Sequence, residues 1–302
     1  MDRFFHVTEK GSTIRTEIMA GITTFMAMAY ILMVNAGMFS NPFGDGTDVL
    51  GVSYGAIYVA TAISAVVGTL LIGLLSNLPL AQASGMGLNA YFVYTVCVGL
   101  GLSYANALVL VLFDGIIFVL LTVTGLRKII FDSIPHEVKV AISAGIGLFI
   151  SIVGLKGAGV VVGSESTLVD LGKMSNPEVV LALVGLLLIG IMWHFNVKGA
   201  ILWGILATWI LGIIAQLAGW YTGASLIPDF SNWTLLPHVE ESTFFQFDFS
   251  WIAQNVLSFC VIVFSFLFVD IFDTVGTLVG VASKGGLLDK DGKLPRAGGA
   301  LM

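Results

Sequence analysis

The feature that most constrains this chain is the apolar run from Trp251 to Ala282, which carries two carboxylates and no basic residue. A hydrocarbon core of ~30 Å is crossed by about 20 helical residues, so such a run can span a bilayer. Its centre reads Ser265-Phe-Leu-Phe-Val-Asp270-Ile-Phe-Asp273-Thr-Val-Gly-Thr277, which puts Asp270 and Asp273 well below either interface. A charged Asp near the middle of a membrane helix costs roughly 3 kcal/mol on insertion scales. Spaced i, i+3, the two share one helix face and can serve a single polar site. No Lys or Arg falls between Lys198 and Lys284, so no basic neighbour in sequence neutralises them. Hydroxyls of Ser265, Thr274 and Thr277 add polarity to the same segment. The plain alternative is a pair that only hydrogen-bonds to neighbouring helices. An ionisable residue inside a membrane span reads first as functional.

The rest of the chain agrees with a membrane setting. It is 57% hydrophobic and 11% charged, where soluble domains carry about 25% charged residues. This is the composition of an all-α polytopic membrane protein, with the lipid bilayer as its solvent. The 36 glycines suit close helix packing and broken helices. A net charge of −6 argues against nucleic acid as a partner. Cys97 and Cys260 lie in apolar segments and suggest no disulfide framework. The four histidines show no metal-ligand spacing, and no cofactor or metal is expected. The first apolar run, Ile18 to Met38, is too long for the core of a cleaved signal peptide.

Taken in order, the sequence predicts about eight crossings: 18–38, 54–75, 78–102, 104–124, 138–155, 178–194, 199–219 and 251–282. The third is irregular. Leu78-Pro-Leu-Ala-Gln-Ala-Ser-Gly85-Met-Gly87-Leu-Asn89 makes a poor continuous helix, so an extended lead-in followed by a shorter helix from about Gly87 fits better. The connection 220–250 ends with Phe245, Phe247 and Phe249 in alternation, continued by Trp251 at the start of the last crossing, most simply an interfacial belt, with a short strand as the lesser alternative. With eight crossings, eleven of the 13 Lys and Arg fall on one side, and the positive-inside rule makes that side, with the N-terminus, cytoplasmic. Seven crossings precede the last, so it enters opposite to the first, as an inverted repeat requires.

The second polar feature is Gly85-Met-Gly87-Leu-Asn89. A helix starting near Gly87 would aim free N–H groups toward mid-membrane. Asn89 adds a donor and an acceptor, which suits a planar, uncharged, hydrogen-bonding ligand. The competing reading is small-residue packing, with Asn89 bonded across helices. Thr23 and Thr24 are expected to bond back to their own helix. Tyr30, at mid-depth, either lines a cavity or packs. Phe92 and Tyr91, beside Asn89, either stack on an aromatic ligand or pack.

Three stretches carry a family resemblance: Thr16-Glu-Ile-Met-Ala-Gly21-Ile-Thr-Thr-Phe-Met-Ala-Met-Ala-Tyr30, Ala83-Ser-Gly-Met-Gly-Leu-Asn89-Ala-Tyr-Phe, and Phe268-Val-Asp270-Ile-Phe-Asp273-Thr-Val-Gly-Thr277. Together they resemble the AzgA-like guanine/hypoxanthine permeases, a branch of the nucleobase–cation symporters within the nucleobase–ascorbate transporter group. The resemblance implies a 14-helix fold of two inverted seven-helix repeats, of which this chain holds the first repeat and the start of the second. It implies a core domain (18–124 and 251–302) and a gate domain (125–219), with 1–17 a cytoplasmic N-terminus and 220–250 an extracytoplasmic loop. It further implies purine uptake (guanine, hypoxanthine or adenine) by proton symport, through elevator-like movement of the core in the cell membrane, with a homodimer compatible. Asn89, Asp270 and Asp273 match positions implicated in substrate binding and transport. Gly87, Phe92 and Tyr30 join them as candidate substrate-binding residues, and Asp270 is the candidate proton carrier. Family members continue through a tenth helix with a binding-site glutamate. This chain stops at Met302, so the expectation is that these residues alone do not transport.

Other classes fit less well. A membrane-embedded enzyme using Asp270-x-x-Asp273 to hold Mg²⁺–diphosphate would want nearby Lys or Arg and a second acidic motif. Intramembrane aspartyl proteolysis places its two aspartates on different helices. A channel would show rings or filter repeats.

Overall fold

Lipid offers the backbone no hydrogen-bond partner, so long apolar runs close their N–H and C=O groups within a helix. The computed structural model describes residues 5, 7–8, 11–43, 46–164, 166–197, 199–228 and 245–286. Arg3, Lys10, the turn at Lys198, residues 229–244 of the 220–250 connection and the tail from 287 lie outside the described residues. Among those described, seven helices are long and apolar enough to cross a membrane: Ile14–Ser40, Tyr54–Ser76, Tyr104–Val123, Val140–Gly157, Pro177–His194, Ala200–Leu217 and Val256–Ala282. A shorter apolar helix, Met86–Gly99, stands where the irregular third crossing was expected. The spans carry little burial of their own, at most 22% in any one. Their side chains, Leu148 and Leu187 among them, face outward where lipid would lie.

The helices are α1 (Ile14–Met28), α2 (Tyr30–Ser40), α3 (Tyr54–Ser76), α4 (Met86–Gly99), α5 (Tyr104–Val123), α6 (Leu126–Ser133), α7 (His136–Gly157), α8 (Pro177–His194), α9 (Ala200–Leu217), α10 (Ser250–Gln254) and α11 (Val256–Lys284). Side-chain oxygens of Thr13, Ser53 and Ser103 accept backbone N–H bonds at the starts of α1, α3 and α5, satisfying donors that a helix start otherwise leaves unspent. Thr23 and Thr24 do bond back, to the carbonyls of Met19 and Ala20.

Two features went unread in the sequence. The polar stretch after α7 holds a two-stranded antiparallel hairpin, β1 (Val161–Ser164) with β2 (Leu168–Leu171), in which Val161 pairs with Leu171. The stretch after Val123 holds the short helix α6 rather than an open loop. Between Gln246 and Phe249 the chain is neither helix nor strand.

The chain divides into two compact units. The first comprises Met1–Tyr30 and Ser151–Pro237. Within it α8 and α9 approach closely because glycines stand where they meet. A Cβ on Gly185 would collide with Thr208, and one on Gly204 with Ile189. In lipid, such small-residue contacts replace a hydrophobic driving force. The segment after α9 folds back on it: Trp209 Nε1 donates to the Leu226 carbonyl at 3.0 Å, and Leu226 N donates to Gln216 Oε1 at 2.8 Å.

The second unit comprises Ile31–Ile150 and His238–Met302. Its core joins α2, α4, α5 and α11 through residues such as Phe39, Phe92, Val93, Leu110 and Phe266. Asn106 Nδ2 donates to the Asp248 carbonyl at 2.8 Å near the start of α5. Further along, Phe113 meets Phe259 edge-on at 5.1 Å. The contacts advance in the same sense on both segments, so α5 and α11 run parallel. Gly276 and Gly280 of α11 face α7, and Ser143 Oγ donates to the Gly276 carbonyl at 2.5 Å.

Candidate functional site

Helix α3 ends at Asn77, which adopts left-handed backbone with φ 53°. From there to Gly85 the chain is non-helical, and α4 starts at Met86. Pro79 removes a backbone donor and Gly85 caps the start without a side-chain bond, so this stretch has little means to close its own hydrogen bonds. Helix α3 supplies one: Gln82 N donates to Thr69 Oγ1 at 2.9 Å. The extended lead-in expected from the sequence is thus present and tied to the preceding helix.

Helix α11 lies along α4 in the opposite direction. Tyr91 meets Phe266 edge-on at 4.8 Å. Seven residues along α11, Asp273 meets Gly85, where a Cβ would stand only 2.8 Å from Asp273 Oδ2. Asp270 falls between these contacts on α11, one turn after Phe266 and one before Asp273, on the same face. The structure therefore brings the head of α4 and the two aspartates of α11 to one junction. Ser265 and Thr277 spend their hydroxyl protons on their own helix, at the carbonyls of Val261 and Asp273.

A third carboxylate belongs to this neighbourhood. Asp114 of α5 is 5% exposed, lies within electrostatic reach of Asp270, and its Oδ1 has no hydrogen-bond partner among the described residues. The signal was present in the sequence, an acid amid the apolar run Leu108–Val123, but it stands alone there without a second ionisable residue to draw notice.

Asn89, one turn into α4, donates from Nδ2 to Asn35 Oδ1 of α2 at 2.5 Å. Asn35 Nδ2 donates to Thr61 Oγ1 of α3 at 2.7 Å, and Thr61 donates in turn to the Ile57 carbonyl at 2.7 Å. The cross-helix bond that competed with a ligand-binding role for Asn89 is therefore made, and it uses one of the two N–H groups of the amide. Gly87 borders open space, since a Cβ there would meet nothing within 4 Å. Phe92 is 4% exposed and packed on Phe39 (5.3 Å) and Tyr104 (5.8 Å), so its ring already has aromatic neighbours. Tyr30 falls in the first unit and is 43% exposed. Among the described residues no three His, Cys, Asp or Glu side chains gather as metal ligands would.

Seven apolar spans, a broken helix and carboxylates at its head define a multi-pass membrane protein built around an intramembrane polar junction. The chain belongs to the Permease family, whose model matches residues 15–302. It is similar to the guanine/hypoxanthine permeases PbuO and PbuG of Bacillus subtilis. PbuO is 39% identical over 301 residues, covering 99% of this chain and 66% of PbuO. PbuG is 40% identical over 311 residues, covering 100% and 67%. The adenine permease AdeP of Escherichia coli is 36% identical over 305 residues, covering 100% of this chain and 63% of AdeP. The chain thus spans about two thirds of the length of the curated relatives it matches.

Proposed function

We propose that the protein carrying this chain is a secondary transporter that imports purine nucleobases, with the junction of α4 and α11 as half of its substrate site. The observation that carries this reading is the contact of Asp273 with Gly85, which sets a carboxylate pair against the open first turn of α4 beside Asn89. A purine base is flat, uncharged and rimmed with donors and acceptors. Asn89 offers it a carbonyl oxygen and a remaining N–H. Asp270 accepts from a ring N–H and carries the coupling proton. Asp273 orients Asp270 and the head of α4. The space over Gly87 admits the flat ring, and Phe92 holds α4 in place from behind. Relatives named guanine/hypoxanthine and adenine permeases support the substrate class. Transport, rather than chemistry on the substrate, follows the same relatives. Movement is of the elevator kind, with α4 and α11 in the moving core. The protein sits in the cell membrane with its N-terminus cytoplasmic, and two copies associate.

Uptake of labelled hypoxanthine by cells expressing the full-length protein tests this, with guanine, adenine, uracil and xanthine as competitors and a protonophore as a second arm. Competition by a purine and loss of uptake with the protonophore are expected. Uptake blocked by uracil alone, or insensitive to every base, defeats the substrate assignment, and uptake that follows sodium instead defeats proton coupling.

A further inference from the structure

Asn89 comes to the site with its amide already oriented. The relay that does this runs through three helices: α4 (Asn89), α2 (Asn35) and α3 (Thr61 and the Ile57 carbonyl). Its direction is fixed from the far end. The Ile57 carbonyl can only accept, so the Thr61 hydroxyl proton, 2.7 Å away, goes there. Thr61 Oγ1 must then accept from Asn35, which turns the Asn35 NH₂ toward Thr61 and its Oδ1 toward Asn89. Asn89 in turn must present Nδ2 to that oxygen, because the flipped amide would set oxygen against oxygen at 2.5 Å. Asn35 and Thr61 are 5% and 4% exposed, so water cannot stand in for either partner. A backbone carbonyl, which no side-chain change removes, thus anchors the whole chain of donors.

We propose that Asn35 and Thr61 are positioning residues that lock the Asn89 carboxamide in one orientation, so that its oxygen is the acceptor offered to the base. The inference rests on the reading that Asn89 touches the nucleobase. Neither Asn35 nor Thr61 need touch the substrate. Their effect is on selection: a locked amide meets the lactam edge of guanine or hypoxanthine and the amino edge of adenine unequally, whereas an amide free to flip meets both.

The test measures the KM for labelled hypoxanthine uptake, and the inhibition constants of guanine and adenine, in the full-length protein. Wild type is compared with Thr61→Val, Thr61→Ser, Asn35→Ala and Asn89→Ala. KM does not depend on how much protein reaches the membrane, so modest losses of expression leave the result readable. Thr61→Val, nearly the same shape without the hydroxyl, and Asn35→Ala should each raise KM roughly fivefold to tenfold, the loss of about one oriented hydrogen bond. Both should also draw the inhibition constants of guanine and adenine together, and Thr61→Ser should keep wild-type values. A purely structural role would lower the maximal rate and leave the ratio of the two bases unmoved, which overturns the proposal. So does wild-type KM in Thr61→Val or Asn35→Ala; where one of these fails to reach the membrane, the other decides. Wild-type behaviour of Asn89→Ala would instead show that Asn89 does not meet the base, and both readings fall together.

Discussion

Asp273 reaches so far into the head of α4 that a Cβ on Gly85 would lie 2.8 Å from its Oδ2. Real Cβ atoms essentially never come that close, so Gly85 is the condition on which the carboxylate takes its place. The N–H groups of the first helical turn have no partner within the helix, and a negative group is favoured beside them.

Two glycines two residues apart should therefore respond oppositely to the same change. Gly85→Ala must push Asp273 or the start of α4 aside, an overpacking cost of about 1–3 kcal/mol. Gly87→Ala meets nothing within 4 Å and should leave thermal stability unchanged or higher. Thermal unfolding of the purified variants in detergent compares them. Equal melting temperatures would mean the Gly85 contact carries no strain when filled.

Asp270→Asn should abolish purine uptake or cut it severely while membrane insertion survives, because neutral Asn is less costly in hydrocarbon than a charged Asp. Asp273→Asn should weaken uptake less, since the role proposed for Asp273 is to act through the head of α4 and through Asp270. Uptake by the two variants at matched surface levels ranks them. The reverse order would exchange their roles.

Helix α7 meets α11 at Gly276, where a Cβ would stand 2.6 Å from Ile146 Cδ1 and 2.9 Å from Ile142 Cγ2. On the α7 side, Gly145 faces nothing within 4 Å. Gly276→Ala should destabilise by about 1–3 kcal/mol. Gly145→Ala should be neutral or stabilising by up to ~1 kcal/mol, the helix propensity gained. A melting temperature lowered by Gly145→Ala, and not by Gly276→Ala, would place the helix contact elsewhere.

Asp248 lies outside the spans, and its carboxylate accepts from Ser250 N at 2.8 Å where α10 begins. That backbone bond, with help from the Ser250 and Asn106 side chains, holds its pKa below the ordinary carboxylate value. A depressed pKa in the folded state means the contribution is present above the unfolded value, near ~3.9, and is lost as pH falls through the folded one. Asp248→Asn should thus lower the melting temperature slightly at neutral pH, with the difference from wild type closing only in acid below that range. A difference constant down to strongly acid pH would show that the charge plays no part.

What the sequence made legible was whatever is local. Runs of apolar residues announced the spans, Pro79 and Gly85 the broken third crossing, and Asp270 with Asp273 their own anomaly. Contacts between distant residues were not legible: Asn35 was visible as a polar residue of the first crossing, but nothing nearby in sequence pairs it with Asn89 or with Thr61. The reason that Gly85 must be glycine sits on another helix, at Asp273. Asp114 was hidden by its surroundings, since a single acid in a leucine-rich run differs from a chance substitution only once Asp270 is seen beside it. The β1–β2 hairpin escaped because its strands are four residues each, too short for alternation to speak.

From Tyr91 to Gly99 the helix α4 winds as a π-helix, with bonds reaching one residue further than in an α-helix. That changes the phase of everything strung along it. Phe92 and Cys97, five residues apart, are both turned to the core, whereas an α-helical period would set them about 140° apart around the axis. A cysteine or alanine scan across this stretch should accordingly find Phe92, Val93, Val96 and Cys97 sensitive, with the four-residue pairs 92/96 and 93/97 joined by the five-residue pair 92/97. Read with the usual helical wheel, the same four core-facing positions, Phe92, Val93, Val96 and Cys97, would be spread over an arc of about 140°.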